Sequence, residues 1–165
     1  MAQDIKKIIA QEYLKCAKDP AYFMKKYCYI QHPTRGRILF SLYPFQSEVL
    51  HLFKDNQFII TLKSRQLGIS TLAAAYSLWL MLFHKDKNVL ALATTQATAR
   101  NLVSKTMFMY DQLPKWLRLP AKEKNKLSLR LKNGSKITAK SSNADAARSE
   151  AVSLLLIDEA AFIDN

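Results

Sequence analysis

Apolar side chains in the first part of the chain follow the spacing of amphipathic helices. From residue 4 to residue 29 they recur every three or four positions, which predicts helical structure. Asp19 and Pro20 interrupt this pattern as the expected N-cap and first residue of a second helix. A turn-forming sequence follows at residues 32–36. Residues 1–36 are therefore predicted to form a helical subdomain that caps the rest of the domain.

From residue 37 onward, short β-branched runs alternate with longer helical runs. The predicted strands are residues 57–62, 88–93 and 152–157, and the predicted helices are residues 43–53, 70–83 and 96–112. Asn133 and Gly134 lie between two alternating stretches and predict a β-hairpin. Strands that alternate with helices indicate a parallel sheet with helices on both faces, so residues 37–165 are predicted to form an α/β core.

The balance of charge indicates an anionic partner. The sequence has 25 Lys and Arg residues against 13 Asp and Glu residues, a formal net charge of +12. Such an excess favours DNA or RNA ahead of a membrane surface. Part of it forms a basic stripe: Lys115, Arg118, Lys122, Lys124, Lys126, Arg130, Lys132, Lys136 and Lys140. The stripe could bind phosphates without sequence specificity, or it could be the solvated face of a hairpin.

Cysteine usage and hydropathy narrow the class of protein further. Cys16 and Cys28 match no zinc-binding spacing and are too few for a disulfide framework, so reduced thiols are expected. The longest apolar run, residues 72–83, is too short to cross a bilayer. We therefore expect no membrane partner.

One segment has the pattern of a phosphate-binding loop. An apolar run that ends at Leu62 is followed by a polar loop with a single glycine, and then by Ser-Thr at the start of an apolar helix. With Gly68 aligned on the last glycine of the usual motif, Ser70 takes the position of the Mg²⁺-binding hydroxyl. We call residues 63–68 the phosphate loop. The candidate ATP-binding residues here are Lys63, Ser64, Arg65, Gln66, Leu67, Gly68, Ile69, Ser70 and Thr71.

The lysine of the usual motif is displaced in this loop. Ile69 occupies its position, and Lys63 lies where the first glycine belongs. Because the β- and γ-phosphates need cationic charge, Lys63 or Arg65 is predicted to supply it, and both stay candidates. Backbone N–H groups from Gln66 to Ser70 would hold the phosphates in either case. The alternative is a solvated polar turn between a strand and a buried helix.

A second apolar run ends in two carboxylates. Asp158 and Glu159 directly follow the strand predicted to end at Ile157. Ligands of α/β proteins bind at the carboxyl ends of strands, which would place the pair beside the phosphates. Asp158 is predicted to bind Mg²⁺ together with Ser70, and Glu159 to orient and deprotonate the attacking water. The alternative is an acidic N-cap on the short helix that follows.

Together these segments resemble the large subunit of phage terminases, the ATP-driven motors that package DNA into capsids. The lysine at Lys63 is similar to the displaced lysine of lambda-type enzymes, and Ser-Arg-Gln-Leu-Gly at residues 64–68 is similar to the loop of T-even enzymes. The resemblance implies that Gln46 contacts adenine and that Tyr43 or Phe45 stacks on the ring. From the residues alone, the favoured interpretation of this segment is a helix N-terminus that packs on the core.

The same resemblance implies a P-loop ATPase core of RecA-like fold, with ATP and Mg²⁺ as cofactors. It implies that Arg148 reaches the γ-phosphate of a neighbouring subunit as an arginine finger; a solvated arginine is the alternative. Expected partners are double-stranded DNA, the small terminase subunit, the portal protein and other copies in a homo-oligomeric ring. The expected compartment is the host cytoplasm. Since such a sheet normally continues beyond the acidic pair, we expect a fragment that lacks the family's C-terminal nuclease domain.

Two other functions stay open from the sequence. A helicase or translocase of the same core architecture would carry the same two segments. An inactive nucleotide- or DNA-binding remnant of a prophage would account for the displaced lysine. Measuring ATP turnover with and without DNA distinguishes the remnant from the motor.

Overall fold

The computed structural model describes residues 2–142 and 151–162, which contain five α-helices, seven strands and one 3₁₀ turn. In chain order these elements are α1 (Ala2–Lys18), α2 (Pro20–Tyr27), β1 (Tyr29–His32), β2 (Gly36–Leu39), α3 (Pro44–Asp55), α4 (Ile69–Phe83), β3 (Asn88–Ala93), α5 (Gln96–Gln112), β4 (Ala121–Lys124), β5 (Ser128–Leu131), β6 (Lys136–Ser141), β7 (Leu154–Ile157) and the 3₁₀ turn (Ala160–Phe162). None of the described helices is both long and apolar enough to span a membrane.

A five-stranded sheet in the order β4-β5-β6-β3-β7 lies at the centre of the domain. β3 pairs in parallel with β6 on one side and with β7 on the other. β4, β5 and β6 pair in antiparallel fashion. The predicted α/β class is confirmed, but the prediction of a parallel sheet is wrong for β4, β5 and β6. Strands joined by a short turn such as the one at Asn133 and Gly134 can only pair antiparallel.

The sheet and its helices share one hydrophobic core. Most side chains of α4 are buried, as expected of a helix that is apolar on every side. α5 packs on α4 and also on β3 and β6. The strand register places Leu154 and Leu156 of β7 on the face of the sheet that packs into this core. The core therefore supports both α4 and β7.

The two N-terminal helices are joined by one carboxylate. Glu12 of α1 accepts hydrogen bonds from three side chains of α2, namely Tyr22 (2.7 Å), Lys26 (2.6 Å) and Tyr27 (2.8 Å). We call these four residues the Glu12 cluster. The bond from Lys26, followed by those from the tyrosines, lowers the pKa of Glu12 to about 2. Trp79 Nε1 of α4 donates to the carbonyl of Cys16 at 2.9 Å, which fixes α1 on the core.

A small antiparallel hairpin follows the N-terminal helices, where the sequence predicted only a turn. It consists of β1 and β2, so the predicted subdomain boundary at residue 36 falls inside it. Arg37 Nη1 donates to Gln112 Oε1 at 2.7 Å and ties the hairpin to the end of α5. The helical part of the N-terminal region is therefore α1 and α2 alone.

The strand predicted at residues 57–62 is wrong. This segment is irregular, and Phe58, Ile60 and Leu62 are 85%, 100% and 102% exposed. Its β-branched and aromatic composition favours a strand, but such a preference needs a neighbouring strand to take effect. Within the described residues the sheet ends at β7, and no strand pairs with this segment.

Candidate nucleotide-binding site

The phosphate loop turns sharply into α4. Gly68 precedes the helix in a left-handed conformation with φ +72°, and Gln66 also has a positive φ of 65°. No side chain caps the start of α4, whereas Asp19 and Thr95 cap α2 and α5 through side-chain hydrogen bonds. The first N–H groups of α4 are therefore left for a ligand or solvent, and an anion is favoured there by the helix dipole.

The structure brings the start of α4 and the end of β7 together. Ser70 Oγ donates a hydrogen bond to Asp158 Oδ2 at 2.9 Å, joining two residues 88 positions apart in the chain. Asp158 is held in place because its backbone N–H donates to Leu92 O at 3.0 Å, which extends the pairing of β3 and β7. Both side chains are half-buried. The predicted proximity of these two segments is confirmed.

The donor set of this pair fits Mg²⁺. A hydroxyl and a carboxylate oxygen already in contact can both turn toward one small cation, and Mg²⁺ prefers oxygen ligands. Among the described residues there is no group of three or more His, Cys, Asp and Glu side chains that could hold a metal ion. Phosphate oxygens and water would therefore have to complete the coordination, as is usual for Mg²⁺ bound with a nucleotide.

Glu159 lies next to Asp158 in a strained backbone conformation. Its φ is +58°, and its carbonyl accepts a hydrogen bond from Phe162 N at 3.0 Å in the 3₁₀ turn. Three non-glycine residues in the described part of the chain have positive φ, and two of them, Gln66 and Glu159, belong to this site. Such strain persists where the surrounding structure fixes it, and it concentrates at functional sites.

The two candidate cations of the phosphate loop are exposed. Neither Lys63 nor Arg65 makes a hydrogen bond or ion pair with any residue that the structure describes. Both side chains are free to move toward a ligand, and the structure does not distinguish between them. Arg148, the predicted arginine finger, lies outside the described residues.

Gln46 lies in the first turn of α3 and contacts the phosphate loop. It is only 2% exposed. Its Oε1 accepts from Tyr43 N at 3.1 Å, and its Nε2 donates to Leu67 O at 3.0 Å. The bond to Tyr43 belongs to the capping pattern of a Gln at the third helical position, which the sequence displays. No local signal pointed to the bond with Leu67, since 21 positions separate the two residues. Tyr43 stacks nearly parallel on Phe45, with ring centroids 5.7 Å apart.

A cleft of about 400 Å³ lies beside Thr71 and was not predicted. It is lined by Ile30, Gln31, Thr71, Asn101, Ser104, Lys105, Phe108 and Met109. Asn101, Ser104 and Lys105 recur along α5 with the spacing of a solvated helix face, which is why the sequence did not single them out. The cleft brings these side chains next to the first turn of α4.

The basic stripe lies mainly at the other end of the sheet from the Ser70–Asp158 contact. β4, which carries Lys122 and Lys124, is four strands away from β7, and β5, which carries Arg130, is three strands away. At the usual strand spacing this corresponds to roughly 14–19 Å. Lys124 forms an ion pair with Asp111 at 2.6 Å. The described residues thus carry the two candidate functions on separate edges of one sheet.

Comparison with known proteins agrees with this architecture. Residues 60–165 match the family described as terminase large subunit, T4likevirus-type, N-terminal. The crystal structure of the HK97 bacteriophage large terminase superposes with a TM-score of 0.70 at 17% sequence identity. The match covers 90% of this chain and 32% of that one, so the chain spans about a third of the length of the solved terminase. At this identity the superposition supports the fold. The family match extends over well more than half of the chain, and the protein therefore belongs to the T4-like terminase large-subunit family, in its N-terminal region.

Proposed function

We propose that this chain is the ATPase part of a DNA-packaging motor, with a P-loop core of RecA-like type. The observation that carries the proposal is the hydrogen bond of 2.9 Å between Ser70 and Asp158. It joins the helix that follows the phosphate loop to the acidic end of β7, and in P-loop NTPases a hydroxyl and a carboxylate from these two parts hold one Mg²⁺ ion. ATP hydrolysis at this site would drive translocation of double-stranded DNA into a procapsid.

The proposed role of each residue follows from its position in the site. Ser70 and Asp158 hold Mg²⁺, which neutralises charge on the phosphates when it is bound. The uncapped N–H groups at the start of α4 bind phosphate oxygens. Lys63 or Arg65 adds a cation from the exposed loop. Glu159, beside Asp158, orients the attacking water and takes its proton.

The proposed partners follow from charge and from the family. Double-stranded DNA is the anionic partner, and the basic stripe contacts its backbone. Other copies of the chain in a ring, the small terminase subunit and the portal protein complete the motor in the host cytoplasm. Arg148 serves a neighbouring copy's nucleotide in this arrangement.

A double-mutant cycle tests the shared metal site. Mg²⁺–ATP affinity is measured by calorimetry for the wild type, Ser70→Ala, Asp158→Asn and the double variant. Each single change is expected to weaken binding about tenfold. The double variant is expected to be little worse than either, because both residues serve one ion. Asp55→Asn, a change of the same kind at an exposed residue at the end of α3, is the control. Unchanged Mg²⁺–ATP affinity in both single variants would refute the site, and a wild type that binds no ATP would favour the inactive remnant.

A further inference from the structure

Trp116 lies in the turn that connects α5 to β4, among the first residues of the basic stripe. We propose that its indole ring stacks on an unpaired base of a DNA strand while the neighbouring cations contact the phosphates. The inference rests on the proposed DNA partner and deepens it, because it names the form of DNA that this part of the stripe binds. Three features of the turn support it.

The first feature is that the ring of Trp116 is available. The chain has two tryptophans, and they differ in this respect. Trp79 is 6% exposed, and its Nε1 donates to Cys16 O at 2.9 Å. Trp116 is 36% exposed, and its indole N–H donates to no residue that the structure describes. Because a tryptophan that only fills the interior usually bonds this N–H, Trp116 is placed like a surface contact residue.

The second feature is the support behind the ring. Trp116 packs on Tyr27 with ring centroids 5.5 Å apart and an interplanar angle of 87°. Tyr27 is itself held, because its hydroxyl donates to Glu12 at 2.8 Å, and the next residue of the turn, Leu117, is buried in the core. In this edge-to-face arrangement Tyr27 covers at most one face of the indole. The exposed part of the ring can therefore stack on a base without moving its support.

The third feature is the charge around the turn. Lys115 is exposed and forms no hydrogen bond or ion pair with a described residue. Arg118 donates to the carbonyl of Asp111 at 3.1 Å, and Lys124 neutralises the Asp111 carboxylate at 2.6 Å. The surface beside the ring therefore carries an excess of positive charge, which complements a phosphate backbone.

The combination of ring and cations favours a strand with unpaired bases. Lysines alone bind duplex and single strand alike through the phosphates. Within a duplex only base edges and phosphates reach a protein, since the faces of the bases are stacked on one another. An aromatic ring adds affinity where a base face can reach it, and it accepts every base because each has a π-face. Trp116 is thus expected to contribute to single-strand binding and not to duplex binding.

Two substitutions test the stacking contact. Trp116→Leu removes the aromatic ring, and Trp116→Phe keeps a smaller one. Tyr13→Leu is the matched control, because Tyr13 is 37% exposed and packs edge-on against Phe83 at 5.1 Å, but lies on α1 outside the basic stripe. Melting temperatures of all three variants show whether the fold is kept.

The first measurement is an anisotropy titration with two DNA probes, a thymidine single strand of about 20 nucleotides and a duplex of the same length. We expect Trp116→Leu to weaken single-strand binding about tenfold and to leave duplex affinity unchanged. Trp116→Phe and Tyr13→Leu should stay within about threefold of the wild type. A Trp116→Leu variant that keeps its single-strand affinity, or that loses both affinities by the same factor, would overturn the inference.

The second measurement uses the wild-type chain, so it does not depend on the folding of a variant. A base stacked on the indole quenches its fluorescence, and the buried Trp79 should not respond. Emission is therefore expected to fall on saturation with the single strand in the wild type and to stay constant in Trp116→Leu. Wild-type emission that is unchanged at saturation would contradict stacking.

The two probes also separate this inference from the proposed function. A wild type that binds the duplex in a salt-dependent way, but whose Trp116 contributes nothing to single-strand binding, would overturn the stacking contact alone. A wild type that binds the single strand through Trp116 and does not bind the duplex would contradict the proposed double-stranded partner alone. Binding of neither probe would contradict both.

Discussion

The Glu12 cluster and the phosphate loop differ in whether their polar side chains are hydrogen-bonded within the chain. In the cluster, one carboxylate accepts three hydrogen bonds and the helices α1 and α2 are locked together. In the loop, Lys63 and Arg65 are exposed and bond to no described residue, and the helix that follows has no side-chain cap. Satisfied polar groups stabilise a fold, whereas unsatisfied groups on a rigid support are available for a ligand. The difference separates the part of the chain that is built for stability from the part that is built for binding.

The largest expected effect lies on the binding side, at Glu159. Glu159→Gln keeps the size of the side chain but cannot take a proton from water, so ATP turnover is expected to fall by about 10²–10⁴-fold. ATP affinity should change little, because Glu159 is not among the proposed phosphate or metal ligands. A phosphate-release assay run alongside a binding titration measures both quantities. Normal turnover would remove Glu159 from the catalytic role.

The next largest effect distinguishes the two loop cations. Lys63→Ala or Arg65→Ala is expected to weaken Mg²⁺–ATP binding about tenfold, and the other change is expected to have a small effect. Thermal unfolding should be the same for both, since neither side chain bonds to any described residue. Wild-type affinity in both variants would show that neither Lys63 nor Arg65 contributes to triphosphate binding.

The stability side of the comparison is tested at Glu12. The pKa of this residue is lowered from 4.5 to about 2 in the folded chain, so its contribution to stability is complete above pH 4.5 and is lost as the pH falls toward 2. Glu12→Gln should therefore lower the melting temperature at neutral pH and flatten the loss of stability in this acid range. Calorimetry between pH 2 and 7 provides the measurement.

Glu48→Gln is the matched control for Glu12, because Glu48 is exposed on α3. It should leave the acid profile unchanged. A Glu12→Gln profile identical to that of the wild type would show that the cluster contributes nothing to the fold. Neither variant should alter ATP binding, which keeps the two regions separate.

The smallest effect is expected for a substitution in the basic stripe, measured as DNA affinity. Lys122→Gln on β4 should weaken DNA binding a few-fold and reduce the salt slope by about one, as for loss of one phosphate contact. Lys18→Gln at the end of α1 is a control of the same charge change outside the stripe. Anisotropy titrations at several salt concentrations give the slope. DNA affinity that does not depend on salt concentration would show that the basic stripe is a solvated surface and does not contact DNA phosphates.

Local sequence accounts for most elements and for the central contact of the site. α4, β3 and α5 begin and end within a residue or two of their predicted bounds, because an apolar run and a Thr95 cap fix them locally. Ser70 and Asp158 meet as expected, since the carboxyl ends of strands and the starts of crossover helices such as α4 lie at one edge of an α/β sheet.

The errors concern features that depend on distant partners. Residues 57–62 have the composition of a strand, yet pairing decides whether a strand forms, and sequence does not show which strands are adjacent. The bond from Gln46 to Leu67 likewise joins two segments that only the fold brings together. The antiparallel pairing of β5 and β6 follows from the hairpin that the sequence predicted, but β4 was not predicted, and the place of β6 beside β3 does not follow from local sequence.

The most direct test is a crystal structure of the chain with Mn²⁺ and a non-hydrolysable ATP analogue, using Mn²⁺ as a substitute for Mg²⁺ that can be located by anomalous scattering. The account predicts an anomalous peak between Ser70 Oγ and Asp158, with the triphosphate lying across the start of α4. A peak elsewhere, or a nucleotide bound without a metal at this pair, would contradict it.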